Sequence, residues 1–590
     1  MKPHQALRIS SLIPTLAAGI VSNAFAADRY WDGGTTNIGT NGDGVSAYSA
    51  GNWSTSVQNW DQGSGQAHVV WNNSNLDNAI FGGTAATASR TVTLTSAVTV
   101  NQLKITTGNT TNAYTIGVGT DTANPLTFGG SYNETTNITI DASLSGNSTV
   151  AAKITGTITG GLIIKHGSNI TTPGASGRMY LSNANSDFVG DVTVLGGNIH
   201  LFSGAAGTAT ASRLGNAANK VYLKGGAIFN SGNLATNAWT RETIVETASG
   251  IGTNITAAGT QVNDFTGKIS GSGNLTRYAN LANSATAVSE VRFSGDMSGY
   301  TGTIENTVPT LVGAALASNS IMVIQTTATS GGGWKLTGGT LKLNTTSDTH
   351  IANGAGKSDL VVNGGTLDMN GKSETINGLS GTGGVIQNQL AATASTLTLG
   401  DGDATASYSG AIRDNGGTGG TVALTKIGAG VQTLGGSSTY TGNTLVSGGT
   451  LLVSGSLGNT AVTVGTDARI GGGGTLGGTL HFDDGADFQF STTQTLTVNG
   501  ASVTFGGFSI ADIAGLDNTV DNGTYTLIGG TAVVSTTNLA NVGLANAYDL
   551  GNGKAAFFEI GSLKVTVVPE PGAILLGGLG LLGFLHRRRA

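Results

Sequence analysis

The sequence of 590 residues has no cysteine and only 7 prolines, and its charged residues make up only 10% of the chain. The lack of cysteine excludes disulfide cross-links, thiol catalysis and thiolate metal sites. The charged fraction is far below the roughly 25% that is usual for globular proteins. The formal net charge is −6 and no basic patch lies outside the two ends of the chain, which argues against binding to nucleic acid.

Glycine and aliphatic residues dominate what is present. The chain holds 96 glycines, and 38% of its residues are hydrophobic, with valine, leucine and isoleucine prominent. Disordered chains combine low hydrophobicity with high net charge, and this sequence has neither property. We therefore expect a folded chain with a long, narrow apolar core.

The first 26 residues have the order of a secretory signal peptide, in which basic residues precede an apolar run and a small-residue ending. The apolar run covers residues 9–21, and Ala24 and Ala26 form the small-residue ending, so we expect cleavage after Ala26. The secretion translocon is the partner that this segment predicts. A buried N-terminal helix is the alternative, and Pro14 and the small-residue ending count against it.

The C-terminal end combines a Pro-Glu-Pro box, an apolar run and a basic tail. These parts are Pro569, Glu570 and Pro571, then residues 572–585, then Arg587, Arg588 and Arg589. The run of 14 uncharged residues is short for a permanent membrane span, which needs about 17–25 residues. The arginines would stay cytoplasmic and hold the preceding chain on the far side of the membrane.

These residues resemble the PEP-CTERM sorting signal. The resemblance implies processing near the box by an exosortase, an integral-membrane transpeptidase, and a precursor that spans the membrane once through a transient C-terminal helix. It also implies a Gram-negative-type envelope and an exported product that is often associated with exopolysaccharide. The alternative is an ordinary tail anchor.

Between the two ends the sequence is periodic. Paired glycines recur before short apolar segments, as at Gly338-Gly339 and Gly448-Gly449, and an aromatic residue recurs before a small residue and glycine, as at Tyr300 and Tyr440. The segments between them alternate apolar and polar residues, which indicates strands with one buried face. Glycine accepts the positive φ angles of tight turns, so stacked coils with glycine at the corners explain the pattern.

The segment LTKIGAGVQTLGGSSTYTGNTLVSGGTLLV, residues 424–453, is similar to the autotransporter-associated β-strand repeat of bacterial passenger domains. The lysine after Leu-Thr, the Gly-x-Gly, the Tyr-Thr-Gly and the final Gly-Gly-Thr-Leu stand in the expected places. Weaker copies occur around 162–201 and 270–304. The resemblance implies a right-handed parallel β-helix, that is, an all-β solenoid, displayed outside the cell.

Four of the six tryptophans, Trp31, Trp53, Trp60 and Trp71, lie near the start of the mature chain. We interpret this region as an atypical cap that seals the first coil, because terminal repeats of a solenoid differ from internal ones. The alternative is a carbohydrate platform of exposed indole rings. The expected organisation is a signal peptide at 1–26, a Trp-rich cap and first coils at 27–120, solenoid repeats at 121–480, a C-terminal β-rich cap at 481–568 and the sorting signal at 569–590.

The sequence contains no recognisable catalytic motif and predicts no catalytic residue and no cofactor. Its densest group of possible metal ligands is Asp483, Asp484 and Asp487, whose oxygens could bind calcium. Asp401 and Asp403 form a smaller pair, and solvated turn residues are the alternative in both places.

We therefore expect an exported, non-catalytic protein of the cell envelope, outer surface or extracellular matrix that is sorted by an exosortase-type system. It would be adhesive or associated with exopolysaccharide, other surface glycans or biofilm. The alternative is a β-helical protein that binds or degrades polysaccharide.

Overall fold

The structure is a computed structural model that describes residues 26–570, with gaps at 35–37, 84–88, 107–113, 130–136, 141–146, 168–177, 203–212, 232–235, 256–257, 282–283, 312–315, 327–330, 346–349, 416–419 and 560–562. Ala24, Pro571, the apolar run and the three C-terminal arginines lie outside the described residues.

Five strands at the N-terminal end include antiparallel pairs. They are β1 Asp28–Trp31, β2 Gly51–Trp53, β3 Gln58–Asp61, β4 Val69–Val70 and β5 Asn78–Phe81. β3 pairs antiparallel with both β1 and β4, whereas β5 pairs parallel with β1. This region therefore differs from the uniform parallel pairing that follows.

Each of the next strands pairs parallel with a strand of a neighbouring coil, before or after it in the chain. They are β6 Arg90–Leu94, β7 Val98–Val100, β8 Leu103–Ile105, β9 Tyr114–Ile116, β10 Leu126–Phe128, β11 Ile138–Ile140, β12 Ser148–Val150, β13 Ile154–Thr155, β14 Leu162–His166, β15 Arg178–Leu181, β16 Val192–Phe202, β17 Val221–Leu223, β18 Gly226–Ser231, β19 Thr236–Trp239, β20 Thr243–Val245, β21 Ser249–Asn254, β22 Gly259–Phe265, β23 Ile269–Gly271, β24 Leu275–Leu281, β25 Ala287–Phe293, β26 Ile304–Asn306, β27 Thr310–Leu311 and β28 Ser320–Ile324.

The same parallel pattern continues through the second half. These strands are β29 Trp334–Leu336, β30 Thr340–Leu343, β31 Leu360–Val362, β32 Thr366–Asp368, β33 Glu374–Ile376, β34 Leu379–Ser380, β35 Val385–Asn388, β36 Ala394–Leu399, β37 Ala406–Tyr408, β38 Ala411–Asp414, β39 Thr421–Lys426, β40 Val431–Leu434, β41 Thr444–Val446, β42 Gly449–Val453, β43 Ser456–Leu457, β44 Val462–Val464, β45 Ala468–Gly471, β46 Thr475–Leu476, β47 Leu480–Phe482, β48 Asp487–Gln489, β49 Leu496–Val498, β50 Ser502–Phe505 and β51 Ile513–Ala514.

Five further strands end the described chain. They are β52 Gly523–Gly529, β53 Val533–Val534, β54 Tyr548–Gly551, β55 Lys554–Phe558 and β56 Leu563–Pro569. Short 3-10 turns lie at Ala317–Asn319, Asp401–Asp403, Ile510–Asp512 and Leu544–Asn546. Among the described residues, no helix is long and apolar enough to cross a membrane.

From β41 to β49, three consecutive strands make one coil, and each strand forms part of a different face. β41, β42 and β43 pair in parallel with β44, β45 and β46, which in turn pair with β47, β48 and β49. Neighbouring strands of a sheet lie about 4.8 Å apart, so each coil advances the solenoid by that distance. This arrangement confirms the predicted all-β parallel β-helix.

One continuous apolar core runs from Trp31 to Val567. The strands alternate buried and partly exposed positions, as in β24, where Leu275 and Leu281 point inward and are at most 1% exposed. Each coil buries its apolar side chains against the coils above and below, so the stability of the fold grows by nearest-neighbour contacts.

The four N-terminal tryptophans lie inside this core. All four side chains are 0–2% exposed, and Trp31, Trp53 and Trp60 pack with Phe81. Ring centroids are 5.0 Å apart for Trp53 and Trp60 and 4.7 Å apart for Trp60 and Trp71. A carbohydrate platform needs solvent-facing rings, and these rings face the interior of the first coils instead.

The C-terminal end changes from parallel to antiparallel pairing. β47 still pairs parallel with β50, and β50 with β53, so the coils continue beyond residue 480, where the sequence predicts the cap to begin. β52 pairs parallel with β49 but antiparallel with β56, and β56, β55 and β54 follow as antiparallel neighbours. An antiparallel sheet therefore extends directly from one face of the solenoid.

The lysine of the clearest repeat lies inside the solenoid. Lys426 is 0% exposed, and its Nζ donates hydrogen bonds to the carbonyl oxygens of Ile427, Gly428 and Gly448 at 2.6, 3.0 and 3.2 Å. Burial lowers the pKa of Lys426, and the nearby Asp403 carboxylate opposes that effect. One ammonium group thus satisfies carbonyls at the turns of two successive coils.

The tyrosine and a glycine of the same repeat have equally specific contacts. Tyr440 is 0% exposed, and its hydroxyl lies 2.8 Å from Oγ1 of Thr444. Gly449 has a φ of 60°, and a Cβ there would lie 2.4 Å from the carbonyl oxygen of Gly428. The motif residues are therefore those that the stacking of one coil on the next requires.

Replacing the buried lysine tests this role. We expect Lys426→Met to lower the free energy of unfolding by about 1–3 kcal/mol, because buried carbonyls lose their donor. Urea unfolding followed by circular dichroism would measure the change. Lys165→Met is the matched control, since Lys165 is an exposed lysine of β14 and its substitution should change stability by less than about 0.5 kcal/mol. Equal losses in the two variants would contradict the assignment.

Candidate functional site

A groove with a volume of about 910 Å³ opens at the N-terminal end of the solenoid. Its walls come from the connection between β1 and β2 and from the residues that follow β5 and β8. Pockets for small ligands have volumes of about 300–1,000 Å³, so the groove is large enough to hold one.

A histidine–aspartate pair lies in this groove. Nε2 of His68 is 2.5 Å from Oδ2 of Asp32, and Nδ1 is 2.6 Å from the carbonyl oxygen of Thr40. Both partners are acceptors, so the geometry fits an imidazolium that donates from both nitrogens. Burial lowers the pKa of His68, but the hydrogen bonds to Asp32 and Thr40 outweigh it, and the net pKa is raised.

Aromatic and acidic side chains complete the lining. Tyr30 and Tyr48 are half-buried along the groove, whereas Asp43 and Val45 are exposed at its rim. Asp43 accepts a hydrogen bond from the backbone N–H of Val45 at 3.0 Å. Carboxylates accept hydrogen bonds from hydroxyl groups, and aromatic faces cover apolar C–H surfaces, so the lining suits a hydroxyl-rich ligand.

The sequence did not predict this groove. Asp32 and His68 are 36 residues apart and share no motif, so no local signal joins them. The sequence interpretation of this region rested on the neighbouring tryptophans. The structure places those tryptophans in the core, behind the groove.

The calcium candidates face different partners. Oδ2 of Asp487 is 2.7 Å from Nε of Arg469, and Oδ1 of Asp483 is 3.2 Å from Nε2 of His481. The backbone carbonyl of Asp484 accepts a hydrogen bond from Thr466 at 2.8 Å. No three histidine, aspartate or glutamate side chains converge within the part of the chain that the structure describes. The calcium assignment stays a prediction.

The smaller acidic pair, Asp401 and Asp403, accepts backbone hydrogen bonds at a turn. Oδ1 of Asp401 accepts the N–H of Gly402 at 3.0 Å, and Oδ1 of Asp403 accepts the N–H of Ala429 at 2.6 Å. The Asp401 bond closes a local turn, whereas the Asp403 bond joins the backbones of two adjacent coils.

A second histidine–carboxylate pair is fully enclosed. Nδ1 of His350 lies 2.6 Å from Oε2 of Glu374, and both side chains are 0% exposed. Glu374 also accepts the backbone N–H groups of His350 and Ile351 at 3.0 and 2.7 Å. Burial raises the pKa of Glu374, and its hydrogen bonds oppose that effect. Because no substrate can reach it, the pair acts as a structural tie.

An arginine is also buried in the interior. Arg277 is 0% exposed and donates to the carbonyl oxygen and Oγ of Ser289 at 2.9 and 2.6 Å. It also contacts Asn306 and Ser320. Burial lowers the pKa of Arg277 to about 9. The interior of β24, β25, β26 and β28 is therefore partly polar, with one guanidinium linking two faces.

His166 makes stability depend on pH. It is 1% exposed, and burial lowers its pKa to about 4, against about 6.5 in an unfolded chain. Between these values the unfolded chain binds the proton more tightly, so the free energy of unfolding falls as the pH drops through that window. At about 1.36 kcal/mol per pKa unit, this residue accounts for a loss of about 3 kcal/mol.

We expect His166→Gln to reduce the slope of the unfolding free energy against pH between pH 7 and pH 4, because the substituted side chain does not titrate; buried His200, whose pKa is also lowered, keeps its own contribution. Urea unfolding at several pH values would measure the slope. His481→Gln is the control for a histidine at the surface, since that side chain is 42% exposed. The same slope in the native chain and in the His166 variant would show the attribution to be wrong.

The sorting box lies at the end of the described chain. Pro569 is the last residue of β56, Glu570 follows it, and both side chains are exposed. Ala26, at the expected signal cleavage point, is the first described residue.

Two family profiles match this chain. The passenger-associated-transport-repeat matches residues 424–453, and the PEP-CTERM protein-sorting motif matches residues 567–590. The chain carries a passenger-type repeat and a PEP-CTERM sorting signal. Both predicted resemblances are thereby confirmed, and together they mark an exported protein that resembles an autotransporter passenger.

One relative is an adhesin. The chain is 33% identical over 297 residues to the adhesin BmaC autotransporter of Brucella suis biovar 1 (strain 1330). The aligned part covers 50% of this chain but only 7% of that adhesin. No solved structure matches the chain.

Proposed function

We propose that this protein is a non-catalytic adhesive rod of the cell surface or extracellular matrix. The observation that carries the proposal is the passenger-type repeat at residues 424–453, set in a continuous stack of parallel coils. A rigid stack holds its ends apart and presents the same side chains at regular intervals. The 33% identity to part of an adhesin agrees with this role.

The outer faces support repeated weak contacts. Thr99, Thr127 and Thr155 follow one another in register on β7, β10 and β13, and each is partly exposed. Adjacent strands are about 4.8 Å apart, so such a column offers hydroxyl groups at regular spacing. Many equal contacts along one rod raise the overall avidity for a repetitive partner such as exopolysaccharide.

The sorting route is also part of the proposal. The secretion translocon exports the chain, the C-terminal apolar segment holds it transiently in the membrane as a single-pass precursor, and an exosortase-type enzyme processes it. The match of residues 567–590 to the PEP-CTERM motif supports this route.

Removing the sorting signal tests the route. We expect a tagged chain that lacks residues 569–590 to lose retention at the envelope and to accumulate elsewhere, because no anchor holds it for processing. Cell fractionation and surface immunolabelling would measure the distribution. Replacing Arg587, Arg588 and Arg589 by Gln is the matched variant, and it should reduce correct delivery while leaving the chain length unchanged. Surface delivery equal to that of the native chain after truncation would contradict the sorting role.

The N-terminal groove favours a second candidate function, the binding of polysaccharide. The groove brings the Asp32–His68 pair, an exposed carboxylate at Asp43 and the rings of Tyr30 and Tyr48 to one place. Hydroxyl-rich ligands match these groups, and a rod with a binding groove at one end would attach to the matrix by that end.

Substitutions in the groove test this candidate. We expect the double variant Asp43→Asn, Tyr48→Ala to weaken binding to the host's own exopolysaccharide at least tenfold, since it loses one acceptor and one ring face. Glycan arrays and calorimetry with the purified chain would measure binding. Asp487→Asn is the control, because that carboxylate lies on a distant coil. Unchanged affinity in the groove variant would exclude the groove, and release of reducing ends by the native chain would favour a polysaccharide-degrading enzyme.

A further inference from the structure

His68 lies between two acceptors that belong to different parts of the groove lining. Its Nδ1 is 2.6 Å from the carbonyl oxygen of Thr40, and its Nε2 is 2.5 Å from Oδ2 of Asp32. Oδ1 of the same carboxylate accepts the backbone N–H of Ala47 at 2.9 Å. All four residues line the groove. One chain of hydrogen bonds therefore connects Thr40 to Ala47 through the His68 ring.

This chain of hydrogen bonds needs a proton on each nitrogen of the His68 ring. A neutral imidazole has one N–H and one acceptor nitrogen, whichever tautomer it adopts. Its bare nitrogen would face a second acceptor, so one of the two contacts must be given up. Hydrogen bonds to a carboxylate are about twice as strong as those between neutral groups, so the proton stays on Nε2, beside Asp32, and the contact with Thr40 is lost.

Thr40 lies between two anchored residues, so the loss of its contact has a local effect. The N–H of Ile38 donates to the carbonyl oxygen of Gln58 at 2.8 Å. The N–H of Gly42 donates to the carbonyl oxygen of Gln66 at 2.7 Å. Neither bond involves the histidine ring, and both remain when the ring loses a proton. The wall of the groove between these two anchors can therefore move while the surrounding region stays folded.

The groups around His68 set its protonation. Burial lowers the pKa of His68, but the hydrogen bonds to Asp32 and Thr40 and the charges of Asp32 and Asp61 outweigh it, and the net pKa is raised. The cations of the neighbouring strands, Arg29 of β1 and Arg90 of β6, contact an aspartate and a tyrosine ring. The other titratable side chains along the groove are Tyr30, Asp43 and Tyr48.

We propose that His68 is a pH-dependent latch of the groove, closed when the ring carries both protons and open when it has lost one. The closed groove holds its wall in place before a ligand arrives, so it binds more tightly than the open groove. Binding is therefore tighter at low pH and weakens as the pH rises through the titration of His68. This inference rests on the second candidate function, the binding of polysaccharide in the groove.

Nuclear magnetic resonance of the full chain tests the latch without a ligand. The histidine rings and the isoleucine methyl groups are isotope-labelled, because Ile38 lies in the wall that the latch holds. From about pH 5 to about pH 9, we expect the Ile38 methyl signal to shift with the same midpoint as the His68 ring. His68→Gln should remove this shift, whereas His481→Gln, at an exposed histidine of a distant coil, is the matched control and should retain it. An Ile38 signal that does not titrate, or that titrates equally in His68→Gln, would overturn the inference.

A second variant keeps the histidine in place. Asp32→Asn removes the negative charge beside the ring, so the proton is held less tightly. We expect the midpoints of the His68 and Ile38 signals to move together to lower pH. An Ile38 midpoint that stays in place while the His68 midpoint moves would show that the ring does not control the wall, and the latch would be refuted.

Binding of the host's own exopolysaccharide tests the regulation. Calorimetry at several pH values should show an affinity that falls about tenfold across the titration of His68, as expected for the loss of one hydrogen bond to a charged group. His68→Gln should bind more weakly and without this pH dependence. Equal affinity across the range, with an Ile38 signal that titrates, would overturn the regulation alone. No binding at any pH would overturn the binding function of the groove, and the regulation would fall with it.

Discussion

In-register hydrogen bonding between successive coils is the constraint on which this structure depends. Leu424 lies beside Thr444, which lies beside Val462. The next residue of each strand points outward, and these residues pair in the same register. A slip by one residue would turn every inward side chain outward, so each coil fixes the pattern of the next. Glycine therefore recurs at the turns of each coil, and threonine and aliphatic residues recur in the strands between the turns. Charges are rare because only the outer surface tolerates them, apart from a few buried groups with full sets of partners such as Lys426.

The same constraint decides where function can reside. Inside the stack, the titratable groups of the His350–Glu374 pair bind neighbouring side chains and backbone, and no substrate reaches them. Stacking is interrupted at the two ends, where antiparallel strands replace parallel ones. These ends hold the groove at the Asp32–His68 pair and the exposed start of the sorting box at Pro569. The proposed adhesion along the outer faces and the proposed binding in the groove are compatible with this arrangement.

Much of the fold could be predicted from sequence, because coil stacking requires glycine at the turns and alternating apolar residues in the strands. Both features are visible in short segments of the sequence. The repeat at residues 424–453 and the alternation of its strands needed no long-range information. The end of the parallel coils could not be placed, because β47 and β50 alternate like any other strand, whichever way they pair. Arg277 could not be recognised as buried, since its partners Ser289 and Ser320 come from other strands. The groove depends on loop packing between Asp32 and His68, and it left no motif.

The distance between two outer positions on one face tests the stacking most directly. Thr375, Thr398, Thr425, Leu445, Thr463, His481 and Thr504 follow one another in register. The chain has no cysteine, so spin labels can be attached at cysteines introduced only at Thr375 and Thr504. Six inter-strand spacings of about 4.8 Å predict a narrow distance distribution near 29 Å between the two backbones in pulsed electron paramagnetic resonance. A broad distribution centred well beyond that distance would contradict the coil stack.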